Sequence, residues 1–463
     1  MPTRTEQTNP WLRPRCRARA TLQRRASSLL ALICMTWFAS GGHAAADSAT
    51  ALSLSLADAL QRAAHNAPEL VRAQNELRNA EAHRVGSGLW LSTNPLVSFL
   101  IGSRTEQQSV GPALRGVQHQ LHVEQALEVA GQRWARLDVV DAAVAAQQDA
   151  VAYAQLVARS LIKALYVQCL LVERRLAVAQ KREDVARQLL ASAETRLQLG
   201  ATGAIEANLA RIEVGRVVSD RADIATEREL RLSELRIATG ISPAVTITLT
   251  TPTMIDTLPG VTLDGEVHQQ IEQALSRRLD LHAIQKQRVQ IQSDARRLRR
   301  EVVPNPIVAF DYQQDLAGQI FIGGTLGLTI PIFQRNQGPL AQLLAAERAR
   351  QAEERLLVTR VRSEVAQALQ TLRIRRTQLE SFARDALPPA EANIELLHRG
   401  WQAGKFDLFR VITALREATE LRLRYLTMLE QMWIAGIALE RASGVDVLAV
   451  EQTPDAHDGG TQR

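Results

Sequence analysis

The stretch Val117-Gln118-His119-Gln120-Leu121-His122-Val123-Glu124-Gln125-Ala126-Leu127 runs into Gln132-Arg133-Trp134-Ala135-Arg136, and no proline follows before Leu199. Its first part has the period of a strand. Val117, Leu121, Val123 and Leu127 fall on one face, and Gln118, Gln120, His122 and Glu124 on the other. The second part has the period of a packed helix. Leu165, Cys169, Val172, Leu176, Ala179, Glu183, Ala186 and Leu190 follow a 4-3-4-3 spacing, with one polar exception. A helix over 132–199 would be about 100 Å long at 1.5 Å per residue. A half-apolar strand feeding a helix of that length predicts a mainly α chain with a small β part. Leu326, Leu328 and Ile330, alternating with Thr325, Gly327 and Thr329, repeat the strand pattern. One apolar and one polar face, with no second sheet to cover either, is the pattern of a barrel with a wet lumen.

The pattern occurs twice because the chain does. Leu70 through Asn94-Pro95-Leu96-Val97-Ser98-Phe99 returns as Leu281 through Asn305-Pro306-Ile307-Val308-Ala309-Phe310, offset 211. Gly200, Ala210, Glu213 and Thr239-Gly240 return as Gly404, Ala414, Glu417 and Ser443-Gly444, offset 204. The expected organisation is a first repeat over 47–262, a second over 263–444 and a polar tail over 445–463. The first repeat opens at Ser55, whose partner Asp58 three residues on makes a capping box. It continues with an approach helix 68–91, strands near 95–128, the long helix 132–199 and a return helix 204–240. The second carries strands near 306–330, a long helix 338–400 and a return helix 404–442, with Pro388-Pro389 expected to kink the long helix. Beyond these, only Val245–Leu249 reads as a strand. Four strands cannot close a barrel, and open edges are not tolerated in lipid, so several chains must contribute strands. Trp90, Trp134 and Phe333 lie just outside the strands, where they suit an aromatic girdle or the ordinary packing of element ends.

Charge excludes one class of function. The 463 residues hold 55 Lys and Arg against 49 Asp and Glu, a net charge of +6. All of that excess lies in residues 1–46, where seven arginines face a single acid, Glu6. The remainder is neutral and gives no support to nucleic-acid binding. The Arg-rich start, the apolar run Leu29–Ala39 and Ala44-Ala45-Ala46 read as a secretory signal peptide cleaved near Ala46. Cys16 and Cys34 would leave with it, and Cys169 alone cannot form an intramolecular disulfide. Cys34, inside the apolar run, is poorly placed for lipidation.

Catalytic signatures are missing. The sequence has no G-x-x-x-x-G-K-[ST], no H-E-x-x-H and no C-x-x-C. His119 and His122, three apart on a strand, point to opposite faces and make poor joint metal ligands. Neither an enzyme activity nor a cofactor is expected.

Two junctions carry a family resemblance. Gln125-Ala126-Leu127-Glu128-Val129-Ala130-Gly131-Gln132-Arg133 with Arg136, and Pro331-Ile332-Phe333-Gln334-Arg335-Asn336-Gln337-Gly338, resemble the strand-to-helix junctions of TolC-type outer-membrane efflux proteins, in particular the CzcC-like heavy-metal subtype. Ala130 and Gln132 depart from that subtype's usual Gly and Lys. The resemblance runs from about Leu54 to Gly444. It implies a homotrimer with a long coiled-coil α-helical barrel in the periplasm and a 12-stranded transmembrane β-barrel in the outer membrane, in contact with its lipid. It also implies a periplasmic adaptor and an inner-membrane RND pump as partners. The implied adaptor-contact tip comprises Arg196, Leu199, Gly200, Ala201 and Thr202 in one turn, and Gly400, Ala403, Gly404, Lys405 and Phe406 in the other. Glu391 and Glu395 are candidates for an acidic constriction or simply a solvated helix face. The function this implies is a passive exit duct for cations such as cobalt, zinc or cadmium. A multidrug or type I secretion duct of the same fold, a periplasmic adaptor and a coiled-coil scaffold are the alternatives.

Overall fold

A computed structural model describes residues 51–107, 110–200, 203–250, 267–316, 318–402 and 405–444, all within one unit of the chain. The expected signal peptide and C-terminal tail lie outside the described residues. Strand β1 (Ala51–Leu54) leads into helix α1 (Leu56–Asn66). The Ser55 hydroxyl accepts from the Asp58 N–H at 3.1 Å, and the Ser55 N–H donates to Asp58 Oδ2 at 3.3 Å, which closes the capping box. Helix α2 (Pro68–Ser87) follows, with Pro68 in its first turn. It stops at Gly88, short of the 91 expected, before strands β2 (Leu96–Glu106) and β3 (Leu114–Ala126).

Helix α3 (Gln132–Gln198) has 67 residues, and α4 (Ala204–Thr239) returns alongside it. Strand β4 (Thr246–Leu249) pairs in parallel with β1. The second half repeats this order with α5 (Val267–Arg277), α6 (Leu279–Arg300), β5 (Pro306–Gln314) and β6 (Ile320–Leu328). Its long helix is divided into α7 (Gln337–Asp385) and α8 (Leu387–Gln402), with the break at Ala386. Pro388 and Pro389 therefore sit in the first turn of α8, where a missing N–H has no intrahelical partner to lose. Helix α9 (Leu408–Ser443) returns, capped by Asp407, whose Oδ1 accepts from the Arg410 N–H at 2.9 Å.

The main core lies where α3, α4, α7 and α9 pack around β1 and β4. Ile162, Tyr166, Leu171, Leu235, Val365, Leu429 and Met432 are buried there, and each large aliphatic contributes about 1.5–3 kcal/mol. Tyr166 Oη donates to the carbonyls of Leu54 (3.0 Å) and Thr250 (2.6 Å), tying the small parallel sheet to α3, and burial pushes its pKa up to about 12. Lys163 Nζ meets Glu440 Oε1 at 2.6 Å in the same core, both side chains nearly inaccessible. Cys169, fully buried, has its thiol pushed up to about 12 by desolvation.

The other sheet has the order β2-β3-β5-β6, antiparallel throughout. Pairing of β3 with β5 joins the strand pairs of the two halves. The outer edges of β2 and β6 have no partner strand among the described residues.

Candidate functional site: the strand collar and the helical tips

Strand register sorts the sheet into two faces. The rows Val97–Val123–Phe310 and Phe99–Leu121–Tyr312–Ile322 line one side. Val97, Phe99, Ile101, Val117, Phe310, Ile322 and Leu326, all on that side, are exposed. The opposite side carries Ser98, Gln118, Gln120, His122, Glu124, Asp311, Gln313 and Thr325, interspersed with Leu96, Leu100, Ile307 and Phe321. There His122 stands between Asp311 (Nδ1···Oδ1, 2.7 Å) and Glu124 (Nε2···Oε2, 3.4 Å), while Thr325 Oγ1 donates to Asp311 Oδ2 at 3.0 Å. These polar groups satisfy one another, and among the described residues no group of three His, Cys, Asp or Glu is arranged to hold a metal ion. His119 belongs to the apolar face, opposite Ile101 and Gln314. Strands of nine to thirteen residues, largely apolar on one side and mixed on the other, where Leu96, Leu100 and Phe321 stand exposed among the polar groups, have the length of a membrane barrel wall.

Both strand-to-helix junctions use one device. Gly131 (φ 71°) and Asn336 (φ 56°) each precede a long helix in the left-handed region, and a glutamine follows each. Gln132 Oε1 accepts from the Ala130 N–H at 2.9 Å, as Gln337 Oε1 accepts from the Arg335 N–H at 2.7 Å. The glutamine side chain thus folds back to cap a chain that has just turned from strand to helix. Gln132 also donates to Asn305 Oδ1 at 2.8 Å, and Asn336 Nδ2 to the Leu298 carbonyl at 3.0 Å, so each junction is fastened to the end of α6 or the loop after it. In the sequence Gln132 stands out only as a departure from a family motif. The match between Gly131-Gln132 and Asn336-Gln337 was the available signal of its role.

The other junction residues surround this device. Burial opposes ionisation of Glu128, but Arg136 Nη1 at 2.6 Å outweighs it and holds the carboxyl below its ordinary range. Arg133 donates Nε to the Gly88 carbonyl at 2.9 Å, and its guanidinium lies 4.6 Å from the Trp90 ring centroid and 4.9 Å from that of Trp134. Arg335 Nε donates to the Pro331 carbonyl at 3.2 Å, beside the exposed Phe333 ring. Gly338 lies in the first turn of α7 with open space around it.

At the opposite end of α3, Arg196 is in the last turn, Leu199 caps it, and Gly200 (φ 70°) reverses the chain. Leu199 and Ile205 are exposed on either side of the turn. Ala201, Thr202, Ala403 and Gly404 lie outside the described residues. In the second tip the Lys405 N–H donates to the Gly400 carbonyl at 2.8 Å. The Phe406 ring lies so close over Gly400 that a Cβ there would come within 2.3 Å of it. Glu391 and Glu395 are on α8, with side chains outside the described residues.

The two tips are joined by packing and by charge. Leu189 and Ala193 of α3, Ala210 of α4 and Leu408, Val411 and Ile412 of α9 form one buried cluster. Just beyond it Glu213 accepts from Arg182 (2.8 Å) of its own hairpin and from Arg416 (2.7 Å) of the other. Burial would raise the pKa of Glu213, but the two arginines more than offset this and lower it. No pattern in the sequence linked residues 203 positions apart.

Comparison with known proteins extends this geometry. No protein-family model matches the chain. Over 121 residues it is 31% identical to the cobalt-zinc-cadmium resistance protein CzcC of Cupriavidus metallidurans, a match covering 26% of this chain and 28% of CzcC. The chain therefore spans little more than a quarter of that relative's length. Likeness in fold is far wider. The solved CusC structure superposes with a TM-score of 0.68 at 17% identity, covering 84% of this chain and 92% of CusC. VceC of Vibrio cholerae (0.64, 15% identity, 84% and 96%) and the outer-membrane channel CmeC of Campylobacter jejuni (0.65, 14%, 84% and 85%) superpose comparably. The chain thus has the fold of these solved outer-membrane channels and is similar to CzcC over the stretch of sequence that it shares with that protein.

Proposed function

We propose that three copies of this chain form a passive exit duct in the outer membrane of a Gram-negative cell, with the helical body in the periplasm. The observation that carries this reading is the four-stranded sheet. One face is apolar and exposed, the other carries most of the polar side chains, and its two edges lack partners among the described residues. Three such sheets joined edge to edge make twelve strands and remove every open edge. In this reading the halves 47–262 and 263–444 are copies of one unit. The tips at Arg196, Leu199, Gly200, Ala201 and Thr202, and at Gly400, Ala403, Gly404, Lys405 and Phe406, meet a periplasmic adaptor that connects the duct to an inner-membrane RND pump. Exposed Leu199 and Ile205 beside a tight glycine turn suit such a contact. Glu391 and Glu395, repeated three times, are proposed to narrow the lower end.

The cargo in this reading is a heavy-metal cation such as cobalt, zinc or cadmium, supported by the likeness to CzcC. A conduit needs no tight site, because tight binding would slow release. Deleting the gene should lower tolerance to zinc, cobalt or cadmium, while drug tolerance stays unchanged. Drug hypersensitivity with normal metal tolerance would instead assign the duct to multidrug efflux. An adaptor would carry one helical hairpin between other modules, whereas here two equivalent hairpins flank a shared sheet.

A further inference from the structure

The collar between strands and helices holds more positive charge than its carboxylates neutralise. Glu128 is taken by Arg136 at 2.6 Å, and Glu301 by Arg297 at 2.5 Å. Arg133, Arg300 and Arg335 have no carboxylate partner among the described residues. Their recorded hydrogen bonds go to the backbone carbonyls of Gly88, Gly131 and Pro331. A carbonyl satisfies a donor without cancelling its charge. In a chain that is neutral outside its leader, this local excess is specific.

Arg133 has the most defined surroundings of the three. Trp90 and Trp134 flank its guanidinium at 4.6 and 4.9 Å, and both rings are largely open, at 79% and 61% exposure. The Gly88 carbonyl takes Nε, which leaves the terminal amino groups without a recorded protein acceptor. Ile330, Ile332 and Phe333 extend the exposed apolar rim near the end of β6. Amphipathic rings around a fixed, planar pair of donors match the membrane boundary, where acyl chains end and phosphates begin.

We propose that Arg133, held between Trp90 and Trp134, binds the headgroup phosphate of an anionic phospholipid on the periplasmic side of the outer membrane, with Arg300 and Arg335 extending the positive collar. The site rests on the outer-membrane reading above and adds a ligand class to it. Charge complementarity favours lipid over a second copy of the chain as the occupant. A neighbouring copy would bring its own uncompensated arginines to the same level, whereas phosphates neutralise them.

The test uses the full chain in phosphatidylcholine nanodiscs containing a minor fraction of phosphatidylglycerol. In parallel samples the acyl chains of one lipid or the other are brominated to quench nearby tryptophan. Trp433, buried on α9, supplies an unquenched background. Brominated phosphatidylglycerol should quench the wild type as if enriched about fivefold at the collar, the scale expected for an arginine near an anionic surface. Arg133→Gln should abolish that preference yet leave quenching by brominated phosphatidylcholine intact, and Arg133→Lys should retain part of it. Added inorganic phosphate should not reverse the wild-type preference; reversal would assign the site to free phosphate and overturn the lipid proposal. Equal quenching by both lipids in the wild type, or an unchanged preference in Arg133→Gln, would also overturn it while leaving membrane insertion standing. Absence of quenching by either lipid would overturn the membrane reading and the clamp together.

Discussion

Glu213 is a single carboxylate held by arginines from two hairpins, with its side chain 5% exposed. Its position in the first repeat corresponds to Glu417, which is exposed, so the same residue type serves a buried clasp in one half and a surface in the other. Glu213→Gln keeps the shape, removes the buried charge between Arg182 and Arg416, and leaves Arg182 only the more exposed Asp220 at 3.2 Å. Breaking a buried pair in this way typically costs about 3–5 kcal/mol, so a clear fall in the apparent melting temperature at pH 7 is expected. The pH dependence has a definite sign. The folded-state pKa of Glu213 lies below the usual 4.5, so its contribution is complete above that value and is lost as pH falls through the folded one. Melting temperatures of wild type and Glu213→Gln should therefore converge in acid; a constant gap from pH 7 to pH 3 would refute the clasp. The glutamate was visible in the sequence as part of a repeat. Its partners were not, because periodicity assigns a residue to a face but does not say which helix will cover it.

At the scale of elements, the long helices and the four strands were legible from their periods. Eight heptad-like positions on a proline-free run leave few alternatives to a packed helix, and the alternation of β3 is carried into the cross-strand rows. The small parallel sheet was only half legible. Val245–Leu249 reads as a strand, but Ala51–Leu54 is four residues long and acquires its conformation by pairing with β4 and by burial of Leu54. The division of the second long helix lies at Ala386, ahead of the prolines, because proline fits the first turn of a new helix better than the interior of an old one. The tip beyond it supplies a functional prediction. In Gly400→Val the new side chain must displace Phe406, since even a Cβ would lie 2.3 Å from the ring. The body should still assemble, because Leu408, Val411 and Ile412 lie beyond the turn. Metal tolerance should fall toward that of the deletion strain, measured beside outer-membrane trimer levels. Full tolerance at normal levels would remove the second tip from the adaptor contact.

For the whole molecule, the proposed duct rests on assembly of several chains around the open sheet edges. In the proposed duct the side of the sheet that carries the His122–Asp311–Thr325 contacts faces water and the exposed apolar side faces lipid. The junction glutamines fasten the start of each long helix to the neighbouring end of the sheet, and the bridged tips hold the two hairpins together at the other end. What the sequence alone could not supply was neighbourhood. The stacking of Arg133 between Trp90 and Trp134 joins residues at the end of one helix to the start of another, across two strands. Outer-membrane fractionation and a heat-modifiable trimer are expected, whereas a soluble periplasmic monomer would reject the duct. A sharper test is disulfide closure between the free strand edges. Ser98→Cys on β2 is combined in turn with Thr325→Cys or Gly327→Cys on β6, all on the polar face. Cys169 is a quiet background, buried with its thiol pushed up to about 12. Closure of the barrel by three chains predicts that mild oxidation of outer membranes yields covalent dimers and trimers in at least one pairing. Monomer alone in both pairings, with the introduced thiols still free, would contradict it.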